Sequence, residues 1–198
     1  MPRVSQTAGW ASDSPTPAQP KELFAQIGSG RITKDRLQSF LRGTLRGTNQ
    51  VKGEDWFSFT TTAATLKELR DRNPDAFYYA GNDWWLNQPF ANKKGKVGEL
   101  QLRTSAAPDS FNKSWAEQQE LLADGEFVPT VRDLVEGMIA YYRETGRRLF
   151  SSWVRCQDIP SVGGRVFVMV FPDGVFVNYD WDDGRSSGLG VAVARKSV

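Results

Sequence analysis

The sequence contains no histidine and a single cysteine, Cys156. Without histidine there is no Ser-His-Asp or Cys-His nucleophile system and no imidazole general base, the one side chain that titrates near neutrality unperturbed. Zinc sites built from Cys and His are excluded as well, and one cysteine cannot close an internal disulfide. Long hydrophobic runs are also missing. Apolar stretches such as VFVMVF at 166–171 fall far short of a transmembrane helix, and the amino-terminal MPRVSQTAGWASDS has no apolar segment of the secretory kind. A reducing cytoplasm with no membrane partner is the expectation. There is no Walker loop and no G-x-G-x-x-G, so nothing local cradles a nucleotide. The chemistry left is that of carboxylate, lysine, tyrosine or serine, with or without a hard cation held by oxygen ligands.

What is present is enough to fold. A chain of 198 residues, 39% hydrophobic and 12% aromatic, buries a sizeable core as one domain or two small ones in contact. Its net charge is only +2 but unevenly spread: residues 104–145 carry eight acidic and three basic side chains, whereas residues 93–103 carry four basic and one acidic. Such a pattern either steers a polyanion to one face or is ordinary solvated surface.

Residues 1–19 read as a flexible arm, rich in Ser, Thr and Pro, with Trp10 its one anchor. Pro20 precedes a short helix, KELFAQIG. A second helix starts at the Thr33 cap, carries an Ile32–Leu37 staple and stops at Gly43. The tandem LRGT at 41–48 offers arginines to phosphate, or is simply a helix exit and a turn. EDWFSFTTT alternates like a strand, and TAATLKELRDRNP reads as a helix ended by Pro74. In the aromatic stretch 77–103, short strands are expected at Phe77–Tyr79, Trp84–Leu86 and Glu99–Arg103, with NKKGK as a mobile tip.

Two helices follow. SWAEQQELLADG opens with the Ser114–Glu117 capping box and stops at Gly125. TVRDLVEGMIAYYRETG runs from Thr130 to Gly146, and its residues Val131, Leu134, Val135, Met138, Ile139 and Tyr142 share one helical face. Gly137 interrupts it at a cost of about 1 kcal/mol relative to alanine, which points to close packing against a neighbour. The last fifty residues alternate: SSWVRCQD, RVFVMVF, GVFVNYDW and LGVAVARK read as four strands of an antiparallel meander. Pro172, Asp173 and Gly174 supply a hairpin turn. Both faces of RVFVMVF are apolar, so both are expected to be covered.

The blocks FYYAGNDWWLN, KSWAEQQELL, VPT, ETGRRLF, YDWDDGR and LGVAVARK, in that order, resemble a recurring group of uncharacterised bacterial proteins over residues 77–198. The resemblance implies a shared fold for that span, and no activity or catalytic residue. The expectation is an α+β protein: N-terminal helices and short strands, then a helical hairpin packed on a four-stranded antiparallel sheet. Residues 20–103 form the helical region with aromatic strands, and 104–198 the hairpin and sheet, the two able to make one compact domain.

Two stretches carry the functional candidates. In VNYDWDDGRSSG, Asp180 and Asp182 share a strand face and could chelate Mg²⁺ with Asp183, as a metal-dependent hydrolase requires, or do acid/base work on a sugar or phosphate ester. The structural alternative is a turn in which Asp182 caps Asp183-Gly184 and Arg185 pairs with either acid. In the second stretch, Asn82, Asp83, Trp84 and Trp85, with Lys93, Lys94 and Lys96 nearby, would make a stacking platform with a phosphate-binding rim, unless both indoles fill core. Cys156 reads as a small buried hydrophobe. The favoured reading is a binding module for nucleic acid or a protein, with no cofactor; the alternative is the aspartate-cluster hydrolase with Mg²⁺.

Overall fold

The computed structural model describes residues 55–77, 84–171 and 174–197. The expected arm with Trp10, the helices near 21–28 and 33–43, the LRGT tandem, residues 78–83 with Asn82 and Asp83, and the Pro172-Asp173 turn lie outside the described residues.

The order is β1 (Trp56–Thr61), α1 (Leu66–Arg72), α2 (Pro89–Asn92), β2 (Gly98–Arg103), α3 (Trp115–Gln119), β3 (Glu126–Phe127), α4 (Val131–Thr145), β4 (Trp153–Arg155), β5 (Arg165–Phe171), β6 (Gly174–Asp180), β7 (Leu189–Val191) and β8 (Ala194–Lys196). Both helices and strands are present, so the α+β class holds, and the strands form two sheets of four, ordered β1-β2-β8-β3 and β6-β5-β4-β7.

The tail follows the expected meander over β4, β5 and β6, antiparallel throughout, with Phe171 paired to Gly174 across the hairpin and Gly174 at φ 134°. It departs from it at LGVAVARK. That segment splits in two: β7 joins β4 in parallel, and β8 crosses to the other sheet between β2 and β3. The hand-over is visible in the hydrogen bonds, since the Ala192 N–H donates to Arg155 O at 3.1 Å while Val193 O accepts from the Arg103 N–H at 2.9 Å. One strand-like run thereby stitches the two sheets together.

Helix α4 has the bounds its caps dictate. The Thr130 side chain accepts the Asp133 N–H, and Gly146 closes the helix at φ 66°. Val131, Leu134, Val135, Met138 and Ile139 are all buried, each worth about 1.5–3 kcal/mol of removed apolar surface. Tyr142, assigned to the same stripe, is instead 42% exposed. Conversely Arg132, Glu136 and Gly137 are buried, so the first half of the helix is enclosed on every side rather than on one face. It packs on β1 and β5, with α1 and α2 also against it.

Gly137 has the close neighbour its cost predicts. A Cβ there would lie 2.3 Å from Leu102 Cδ1 and 2.9 Å from the Phe59 ring, both buried. Gly137→Ala therefore gains helix propensity but overpacks the core, and a net loss of about 1–2 kcal/mol is expected. Urea unfolding of the variant checks this; a gain in stability would mean that the core yields freely.

Helices α1 and α3 are short and depend on capping boxes, Thr65 with Glu68 and Ser114 with Glu117. The second ends at Glu120, well before Gly125, because the chain turns into β3. Glu68 is held by the Lys94 ammonium at 2.7 Å and by the Thr65 N–H at 2.8 Å. The lysine hydrogen bond, then the cap, lower its pKa from 4.5 to about 2. A depressed carboxyl stabilises the fold above its unfolded value and loses that contribution as pH falls through the folded one. Between pH 4.5 and about 2 the wild type is thus expected to lose melting temperature more steeply than Glu68→Gln, in melts across a pH series.

Candidate binding surface

The VNYDWDDGRSSG bend closes around a buried arginine. Arg155, on β4, is fully inaccessible. Its Nη1 donates to Lys113 O at 3.1 Å and Gln118 Oε1 at 3.2 Å; its Nη2 donates to Asp180 Oδ2 at 3.1 Å, Trp181 O at 3.1 Å and Gly184 O at 2.8 Å. Burial lowers the Arg155 pKa, and the carboxylates of Asp180, Asp182 and Asp183, Asp180 foremost, pull it back up. Asp180 is the direct counter-charge of this buried cation, and Asp182 and Asp183 add to it through space. Gly184 is required because a Cβ would meet Asp180 Oδ2 at 2.6 Å.

The acids do not share a face around a common centre. Asp180 faces Arg155, whereas Asp182 Oδ1 lies 3.3 Å from Arg165 Nε. Arg185 pairs with neither: its Nη1 lies 2.8 Å from Glu117 Oε2. Among the described residues no group of three or more His, Cys, Asp or Glu could hold a metal ion.

What the bend presents outward is Trp181. Its ring rests on the loop between β4 and β5, where a Cβ on Gly163 would be 3.3 Å from Trp181 Cζ3. In that loop Ile159 is 56% exposed, Val162 57%, and Trp181 itself 57%. Pro160 is buried, and Gln88 Oε1 accepts from both Ser161 N at 2.8 Å and Ser161 Oγ at 2.9 Å, which pins the loop tip to the segment before α2. The base of the loop is fixed by Asp158, whose Oδ2 accepts the Val131 N–H at 2.6 Å. Burial pushes the Asp158 carboxyl up despite that bond, and it pushes the adjacent Cys156 thiol well up, with Asp158 and Asp133 adding. Cys156 is thus sealed in the core and no nucleophile.

The tryptophan pair lies elsewhere. Trp84 to Asn87 form a 3₁₀ turn rather than a strand, because Pro89 opens α2 immediately after it. Trp85 is buried against Phe77, ring centroids 5.9 Å apart. Trp84 is half-buried, donates its indole N–H to Val177 O at 2.9 Å and packs on Tyr179 at 5.1 Å. Both indoles are thus largely committed to packing. Lys93, Lys94 and Lys96 are exposed, with Lys94 on Glu68. The tip they occupy, expected to be mobile, is tied down: Gly95 donates its N–H to Ala64 O at 3.3 Å, and Lys96 O accepts from Thr61 Oγ1 at 2.6 Å.

Sequence reasoning missed a second buried cation, Arg132. Its Nε donates to Ala64 O at 2.8 Å and its Nη2 to Glu136 Oε2 at 2.6 Å, with Asp133 and Thr62 O completing the shell. Gly95 lies flat on this guanidinium; a Cβ would be 2.3 Å from Arg132 Cζ. An i,i+4 Arg–Glu pair at 132 and 136 was the available signal, but such pairs belong as readily to solvated helix faces.

No protein-family model, curated protein or solved structure matches the chain.

A tryptophan and two aliphatic side chains stand clear of a loop braced at tip and base, with Arg165 and Asp182 beside them. Arg165 is itself stacked over the Trp115 ring at 4.4 Å. Such a surface desolvates readily.

Proposed function

We propose that this chain is a non-catalytic binding module that takes a protein partner on the surface formed by Ile159, Val162 and Trp181. The observation that carries the reading is the exposure of three large apolar side chains, each more than half accessible, on two loops, one bonded at Ser161 to Gln88 and the other closed on Arg155. Large apolar groups in water are ordinarily scattered singly; a braced group that includes tryptophan has the composition of an interface hot spot. Bracing also lowers the ordering cost of association. The engagement of Asp180 by Arg155 and of Asp182 by Arg165 favours this reading over an Mg²⁺-dependent hydrolase.

The test compares three immobilised forms of the full chain: native, Trp181→Ser, and a triple Lys93→Glu, Lys94→Glu, Lys96→Glu form. A protein ligand retained by the native and lysine-reversed chains, and lost by at least tenfold in affinity with Trp181→Ser at unchanged melting temperature, supports the proposal. Retention indifferent to Trp181, or single-stranded nucleic acid bound by the native chain and lost on lysine reversal, discards it in favour of the nucleic-acid partner.

A further inference from the structure

Among the described residues, strand β1 is an end strand of the first sheet, paired with β2 alone. The hydrogen-bond phase of that pairing is fixed at one end. The Thr104 N–H donates to Asp55 O at 2.9 Å, while the Arg103 N–H turns to β8 and donates to Val193 O at 2.9 Å. With Trp56 opposite Arg103 in the register, Phe57, Phe59 and Thr61 bond to β2. The backbone N–H and C=O groups of Trp56, Ser58 and Thr60 therefore point out of the sheet. Among the described residues no hydrogen bond reaches them.

Natural edge strands are blunted by lysine, proline, bulges or brevity. The six residues WFSFTT have no charge, no proline and no glycine, and their register with β2 is continuous from end to end. The composition is that of a strand meant to be paired. Beside the edge, Phe57 is half-buried and meets the half-buried Tyr141 edge-on at 5.1 Å.

We propose that the occupant of this edge is β1 of a second copy of the chain, running antiparallel about a two-fold axis at Ser58. Centring on Ser58 matches all the outward groups: Ser58 pairs with its own copy, and Trp56 with Thr60 of the second copy, giving about six backbone hydrogen bonds. The side chains agree with that choice. Ser58 and Thr60 are exposed and uncharged, so self-apposition brings no like charges together, and an aromatic opposite a β-branched residue is a favourable cross-strand pair. Asp55 falls opposite Thr61 of the second copy rather than opposite another acid. Two four-stranded sheets become one continuous sheet, and isologous pairing of this kind closes without propagating.

Light scattering on the full chain reads the result. The native protein doubles in mass as concentration rises, and the amides of Trp56, Ser58 and Thr60 exchange more slowly in the dimer. Ser58→Lys sets two lysines face to face and yields monomer that melts with the native protein at concentrations where the native protein is also monomeric. Ser58→Glu does the same, and an equal mixture of the two restores a mixed dimer. Ser58→Pro removes an N–H that serves no bond among the described residues and is also monomeric. A native protein that stays monomeric at every concentration overturns the proposal. So does a dimer that survives both charged variants, or a failure of the mixture to pair when each variant alone is folded.

Discussion

Arg155→Met is expected to lower the free energy of unfolding by about 3–5 kcal/mol, the range found when one partner of a buried charged network is removed. Methionine fills much of the volume, so the loss is not one of packing. It arises because most of the groups that close on the guanidinium lose their donor, Trp181 O alone keeping a second one in the Gly184 N–H at 3.0 Å. The carbonyls of Lys113, Trp181 and Gly184 and the amide oxygen of Gln118 all accept from Arg155. Each buried acceptor left alone costs about 1–3 kcal/mol, moderated where the bend can open to water. Asp180, 35% exposed, would turn to water. Asp180→Asn should cost much less, about 1–2 kcal/mol, since the amide oxygen still accepts. Urea denaturation gives both numbers. A loss below about 1 kcal/mol for Arg155→Met would mean that the bend is held by something other than this cation. The ordering of the two variants also tests the role assigned to the aspartates: if Asp180 were a catalytic or metal-binding acid strained into place, its neutralisation would stabilise the fold instead.

How much of this was legible in the sequence follows from where the determining contacts lie. The limits of α4 were readable because Thr130 and Gly146 act within a turn of themselves, and Gly137 was readable because a glycine in an otherwise well-patterned helix demands a cause. The strands of the tail were readable from period-two alternation. The splitting of LGVAVARK was not, since Val191 and Ala194 are both buried and nothing local says that their partners belong to different sheets. Parallel pairing of β7 with β4 is likewise decided by the intervening chain, not by either strand.

The candidate site divides in the same way. The bend at 180–185 was recognisable as a bend, but its purpose was hidden. The cation that organises it sits on β4, in a run where alternation would place Arg155 and Cys156 on opposite faces and one of them in water. Both are buried because β4 lies inside its sheet with cover on either side. The exposed Trp181 was hidden for the opposite reason. An aromatic residue between aspartates reads equally as a buried plug, and only the position of the β4–β5 loop makes Gly163 its support.

Glu136→Ala is expected to cost about 3–5 kcal/mol as well, for the complementary reason that it strands a buried cation. Arg132 is 3% exposed and bonds to Glu136, Asp133, Ala64 O and Thr62 O; Glu136 in turn accepts from Thr62 N at 3.0 Å and Thr62 Oγ1 at 2.6 Å. Removing the glutamate leaves the guanidinium with Asp133 and two carbonyls, and leaves the Thr62 N–H without an acceptor. Replacing both partners with apolar residues of similar size, Arg132→Met with Glu136→Leu, should cost less than the single change. Buried pairs are dear to break and close to neutral to delete. A double-mutant cycle would therefore return a coupling of about 1–3 kcal/mol. The same cycle distinguishes a clasp from a mere pair. Arg132 joins α4 to the 62–64 segment, and Gly95 of the lysine tip lies against its guanidinium. If that clasp fixes the tip, amide exchange at 93–96 will quicken in Glu136→Ala and in the double variant alike, even where the double variant has recovered its global stability. Unchanged exchange there, with stability lost as expected, would confine the network to holding α4 alone.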